Sequence, residues 1–301
     1  MAWVTAHFYS EVLDLQTTVQ VLLPEADNGI GVTNAVWDGR TELPVLYLLH
    51  GSSDDSTIWL RRTSLDRSCA GRTMAVVIPE CGKSMFVDMK YGYAYYKYLV
   101  EELPKKMNRF FRISTEREKM FVAGLSMGGY GSILAGLKNP EKYCKVASMS
   151  GPLDLEYFPL FDAYRKMGDK NYLEKLEREE PALRAMLYDL ELCYGSYEEW
   201  KDSDWNLMRL LRQRIQEKAG LPEMMISICT EDMLYQTNTS FRKELDRHKV
   251  TYSYFEEPGI HEWAVWDRHI QKVLDWVSPM ETIRFENQLA KKVADGQGGT
   301  I

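Results

Sequence analysis

Residues 120–137 read MFVAGLSMGGYGSILAGL, and this stretch decides the fold. Residues 120–125 form an unbroken apolar run of strand length, which predicts a strand covered on both faces. Residues 128–137 predict a helix. At the junction stands Gly124-Leu125-Ser126-Met127-Gly128, a G-x-S-x-G spacing. That spacing asks for a sharp strand-to-helix turn with the serine at its apex, held in a strained backbone conformation. Small residues two before and two after the serine let strand and helix pack closely. The helix N-terminus turns its positive end toward any oxyanion that forms there. A chance Gly/Ser turn explains the glycines, but it has no need of a strand before and a helix after. Ser126 is therefore the candidate nucleophile.

Working outward, the same pattern repeats. Residues 43–49 (LPVLYLL), 74–78, 145–149, 224–230 and 251–255 are short apolar or β-rich runs that predict further strands. Helices are predicted at 59–69, 93–111, 237–248 and 262–277, with Pro104 expected to kink or split the second. Strand and helix alternate, which implies an α/β architecture: a mostly parallel central sheet with helices on both faces. Residues 3–9 and 13–23 read as an antiparallel pair at one edge, followed by a turn-rich connection over 28–39. Residues 152–221 break the rhythm. They are charged, aromatic and helical in pattern, and we expect a helical cap insertion beside the site, against the plainer reading of a surface elaboration. Residues 1–280 are then one domain, with 281–301 a flexible tail.

A serine hydroxyl needs a base to act at neutral pH. Of five histidines, His7 lies in the N-terminal strand, His248 in a charged helix end, His269 inside the last helix and His50 at the end of a buried strand. His261, in the loop between the last strand and the last helix, stands where the α/β-hydrolase fold carries its base, in the chain order serine, acid, histidine. Asp232, directly after the strand at 224–230, is the expected acid, and Asp154, after the preceding strand, is its competitor. The oxyanion requires two backbone N–H groups. Met127 is expected to supply one and Ser52 the other, with Gly51 as the alternative. Tyr91, Tyr93 and Trp263 are expected to wall a substrate pocket, with Trp266 beside them, whereas Tyr95 and Tyr96 read as core.

Composition excludes other classes. The net charge is −7 with Lys and Arg scattered, so there is no basic stripe for a nucleic acid. Five cysteines are widely spaced without C-x-x-C, which argues against a disulfide framework and against a zinc motif. Cys144 and Cys229 sit in apolar runs and are expected in the core. No run approaches the ~18 apolar residues of a membrane span, and no signal peptide is read at the start. We expect a cytoplasmic protein acting on a small-molecule ester without metal or cofactor, and a homo-oligomer stays open. No Walker loop or dinucleotide fingerprint occurs.

Five stretches together carry a resemblance: LYLLHGSSDDSTIWLRRTS, YGYAYYKYLVEELP, FVAGLSMGGYGS, ICTEDMLY and GIHEWAVWD. They resemble the esterase family that includes esterase D (S-formylglutathione hydrolase), feruloyl and acetyl xylan esterases and the antigen 85 mycolyltransferases. The bacterial tributyrin esterases are the branch to which the chain is most similar. The resemblance implies Ser126, Asp232 and His261 as a triad and hydrolysis of short acyl esters, again without cofactor. Feruloyl esters, acetylated carbohydrates and S-formylglutathione are the alternative substrates. Esterase D proteins typically follow the histidine with Ser-Tyr-Tyr, where this chain has Glu262-Trp263, and residues 157–192 are longer than in the tributyrin branch. A binding protein that kept the fold is the contrasting class, opposed by an intact Ser, Asp and His in order.

Overall fold

The computed structural model describes residues 1–25, 37, 39–158 and 160–278. Apart from residues 37 and 39, the turn-rich connection expected over 28–39 lies outside the described residues, as does the tail expected over 281–301. The strands are β1 (Ala2–Ser10), β2 (Leu15–Leu23), β3 (Val45–Leu49), β4 (Ala75–Pro79), β5 (Met120–Leu125), β6 (Lys145–Met149), β7 (Glu223–Cys229) and β8 (Ser253–Glu257). They form one eight-stranded sheet in the order β1-β2-β4-β3-β5-β6-β7-β8. From β4 to β8 every pairing is parallel. β1 and β2 are antiparallel, as expected from their alternating sequence, and β2 joins β4 antiparallel.

The apolar runs are continuous because the sheet is covered on both faces. Along β3, Val45, Tyr47 and Leu49 enter one core, and Leu46 and Leu48 the other. β5 divides likewise, with Met120 and Val122 on one side and Phe121, Ala123 and Leu125 on the opposite side. The first face is covered by the helix Met127–Lys138 and by the helical stretch ending in Leu103–Phe111. The second is covered by the closing helix Trp263–Val277 and by the short helices Ile58–Arg62 and Leu65–Cys69.

Two expectations are corrected here, the single helix over 59–69 and the core position of Cys144, and one is met. The helix read over 59–69 is two helices, interrupted at Thr63 and Ser64, where Asp267 accepts from both the Ser64 N–H and its hydroxyl. The helix read over 93–111 is divided where its proline was expected to kink or split it. Pro104 lies in the first turn of Leu103–Phe111, where a missing N–H costs least, directly after a π-helical turn over Tyr98–Glu102. Cys144 is half-buried, because it sits just before β6 begins, whereas Cys229 is fully buried.

Between β6 and β7, residues 152–221 form helices Phe161–Arg165, Lys170–Glu179, Pro181–Tyr194, Tyr197–Lys201 and Leu207–Gln216. Leu187, Leu190, Leu210 and Leu211 pack into the first core. Among the described residues, no helix is long and apolar enough to cross a membrane.

Candidate active site

The parallel strands all end on one edge, and each exit contributes to the site, as open α/β sheets require. Ser126 follows β5 with φ 51° and ψ −119°, a left-handed φ that only local constraint imposes on a non-glycine residue. Its N–H is tied to the Met149 carbonyl at 2.9 Å. The flanking glycines are required by contact: a Cβ on Gly124 would stand 2.4 Å from the Gly128 backbone, and one on Gly128 2.5 Å from the Leu49 carbonyl.

His261 Nε2 lies 3.0 Å from Ser126 Oγ, and its Nδ1 lies 2.9 and 3.1 Å from the two Asp232 carboxylate oxygens. Asp232 is 4 % exposed and also accepts the Leu234 N–H at 2.8 Å. The carboxylate accepts only, so Nδ1 carries the proton and Nε2 presents its lone pair to the serine hydroxyl. The Trp266 ring stands edge-on to the imidazole at 4.8 Å, while its Nε1–H donates to Ser150 Oγ at 3.2 Å. Trp263 packs at right angles on Trp266 and on Trp59, so the wall beside His261 is a chain of locked rings.

Ser52 and Met127 both line the cleft above Ser126. Met127 opens its helix, so its N–H has no intrahelical acceptor. The Ser52 N–H makes no backbone bond among the described residues, whereas the Gly51 N–H is occupied by Asp54 Oδ2 at 3.1 Å. His50 fixes this loop. Its Nε2 accepts the Cys81 N–H at 3.1 Å, which leaves Nδ1–H to donate to the Gly51 carbonyl at 2.8 Å. Burial raises the Asp54 carboxyl above its usual range, against the lowering effect of the Gly51 N–H.

The cleft has a volume of about 620 Å³. The family described as "Putative esterase" matches residues 10–276. The chain belongs to that esterase family. An acetyl esterase of Caldicellulosiruptor saccharolyticus is 27% identical over 92% of the esterase and 98% of the relative. Among solved structures, the substrate-bound fluorophosphonate-binding serine hydrolase F of Staphylococcus aureus is 28% identical with a TM-score of 0.74, over 92% of the esterase and 98% of that chain. An S-formylglutathione hydrolase of S. aureus is 27% identical with a TM-score of 0.71, with the same shares covered. The esterase is thus a carboxylic ester hydrolase with the α/β-hydrolase fold.

Of the residues singled out in the sequence, the structure brings together Ser126, Asp232, His261, Met127, Ser52 and Trp263. Asp154 is elsewhere: its carboxylate accepts from Ser240 Oγ at 2.6 Å and from the Glu156 N–H, not from His261. Tyr91 and Tyr93 do not enter the esterase cleft. They are 60% and 50% exposed, on a loop tied to the C-terminal turn of the helix Pro181–Tyr194 through a Tyr91 N–H to Leu192 carbonyl bond. The apolar wall that sequence reading missed comes largely from the insertion, through Leu155, Phe158, Leu160, Met186 and Leu190, faced by Met233. Lys83 and Asp189 also line it and form an ion pair of 3.0 Å between the loop after β4 and the helix Pro181–Tyr194.

Proposed function

We propose that the esterase cleaves carboxylic esters of short to medium acyl groups through an acyl-enzyme on Ser126. The observation that carries this reading is the unbroken chain Ser126 Oγ, His261 Nε2, His261 Nδ1, Asp232 at the floor of an apolar cleft. His261 takes the hydroxyl proton as Oγ attacks the ester carbonyl, and the Met127 and Ser52 N–H groups receive the oxyanion. Collapse of the tetrahedral intermediate breaks the bond to the alcohol oxygen, which leaves with the proton from His261. A water activated by the same imidazole then releases the acid and restores Ser126. Asp232 holds the ring and stabilises its charged form without taking the proton.

In this reading residues 152–221 act as a cap. Their apolar side chains line the cleft, and about 620 Å³ exceeds what an acetyl group fills, so acyl groups of several carbons are accommodated. The acetyl esterase relative supports a small acyl group. The S. aureus S-formylglutathione hydrolase supports a thioester as the second reading, and the exposed Lys83 at the cleft wall is the group that would meet an acidic thiol leaving group.

Incubation with a fluorophosphonate followed by peptide mass mapping tests the nucleophile. The reading expects the adduct on Ser126 alone. An adduct on another residue, with Ser126 unlabelled in active protein, overturns it.

A further inference from the structure

Behind the turn that carries Asp232, three side chains converge that none of the steps above uses. A Cys229 sulfur, a Glu257 carboxylate oxygen and a His269 ring nitrogen all lie within 4.8 Å of one another. Cys229 ends β7, Glu257 ends β8 and His269 lies on the closing helix, so the fold, not a sequence motif, assembles them. None of the three lines the cleft. His269 is fully buried, yet neither of its ring nitrogens has a hydrogen-bond partner among the described residues. Its Nε2 is 3.4 Å from Glu257 Oε1, without hydrogen-bond geometry. A buried imidazole left unsatisfied forfeits its hydration for nothing unless another partner binds it.

We propose that Cys229, Glu257 and His269 form a binding site for a thiophilic divalent cation, Zn²⁺ by its donor set. One thiolate, one imidazole and one carboxylate are ligands of the kinds zinc takes. In a tetrahedral site such ligand atoms stand roughly 3.4–3.6 Å apart, so side-chain movements of about an ångström complete the geometry. Arg268 donates twice to Glu257 Oε1 and holds the carboxylate beside the site. Glu257 is partly exposed, so a water reaches the fourth position from that side. Thiolate and carboxylate offset the charge of the cation, while Lys272 is held aside with its ammonium over the Phe255 ring. An imidazole binds a metal in its neutral form, through a ring nitrogen lone pair. Cys229 binds as the thiolate, so metal binding releases the thiol proton to solvent.

The cation would fasten the parts that aim the triad. The Cys229 carbonyl accepts the Asp232 N–H at 3.1 Å, and the Glu257 carbonyl accepts the Thr230 N–H at 3.0 Å. One ion thus ties the acid turn, the strand leading to His261 and the closing helix.

The test is a titration of the full, chelator-treated chain with Co²⁺ under reducing conditions, read by the near-ultraviolet thiolate-to-cobalt absorption. We expect the band to saturate at one equivalent and to vanish on adding Zn²⁺. Cys229→Ser should remove it. His269→Gln, and Glu257→Gln at the partly exposed ligand where folding is not at risk, should each weaken binding at least tenfold. Absence of the band in the unaltered chain, its persistence in Cys229→Ser, or a smaller loss in both other variants would overturn the proposal.

Discussion

Glu231 and Gly259 hold each other twice. The Gly259 N–H donates to Glu231 Oε2 at 2.5 Å, and the Glu231 N–H donates to the Gly259 carbonyl at 3.1 Å. The first bond is the main reason the Glu231 carboxyl lies below its usual range. Glu231 adjoins Asp232 and Gly259 comes two residues before His261, so this pair fixes the distance between acid and base. Gly259 has φ +144°, in the region that favours glycine, which lets the loop turn back onto the end of β7.

Removing the side chain should therefore damage turnover more than binding. Glu231→Ala is expected to lower kcat roughly 10- to 100-fold, the scale of an ångström misplacement of a reacting group, with KM little changed. Glu231→Gln keeps an acceptor for Gly259 and should stay within a fewfold of the unaltered enzyme. Steady-state kinetics on a p-nitrophenyl ester separates the two, and equal loss in both variants would show that charge, not the bond, matters.

Asp232→Asn should cost far more than Asp154→Asn. The amide can hold the imidazole in the wrong tautomer, an effect of roughly 10⁴ in kcat in a well-studied serine protease. Asp154 is spent on Ser240 and Glu156, so its amide should leave kcat within about tenfold. Parallel kcat measurements on the two variants check this.

The triad geometry was legible because each member sits at a junction that sequence marks. Ser126 lies between an apolar run and a glycine-rich helix, Asp232 directly after a buried strand, and His261 in a Pro-Gly loop before the last helix. The wall of the cleft was not legible. The helical pattern of 152–221 does not reveal that Met186 and Leu190 line the cleft while Leu187 is wholly in the core. Tyr91 and Tyr93 misled because aromatic residues near a strand end look alike in sequence whether they face a cleft or water. The Cys229, Glu257 and His269 cluster was invisible because its spacing is that of the sheet and helix, not of a local motif.

Acid should weaken the tie between two helices beside the sheet. The Arg212 guanidinium, bonded at 2.6 Å, holds the Glu244 carboxyl below its usual range, and this pair joins the helix Leu207–Gln216 to the helix Tyr235–Arg247. A folded value below the unfolded one stabilises fully above the unfolded pKa of about 4.5 and is lost as pH falls through the folded value. Urea unfolding at pH 7 should show Glu244→Gln less stable than the unaltered enzyme, and at pH 3.5 the gap should narrow.

Acyl length should register in the apolar wall. Each methylene buried gains about 0.8 kcal/mol, so p-nitrophenyl butyrate should exceed the acetate in kcat/KM by up to about fifteenfold. Met186→Ala, at a half-exposed position that folding tolerates, should shrink that ratio. A ratio near one in the unaltered enzyme would mean that the acyl group does not lie against this wall.

Whether Ser126 carries the covalent intermediate is decided by Ser126→Ala. The measurement is kcat for p-nitrophenyl butyrate, with circular dichroism to confirm the fold. We expect loss of the esterase turnover, leaving at most the ~10³–10⁴-fold over water that an oxyanion site alone provides. A variant that folds and still turns over within tenfold of the unaltered enzyme would contradict it.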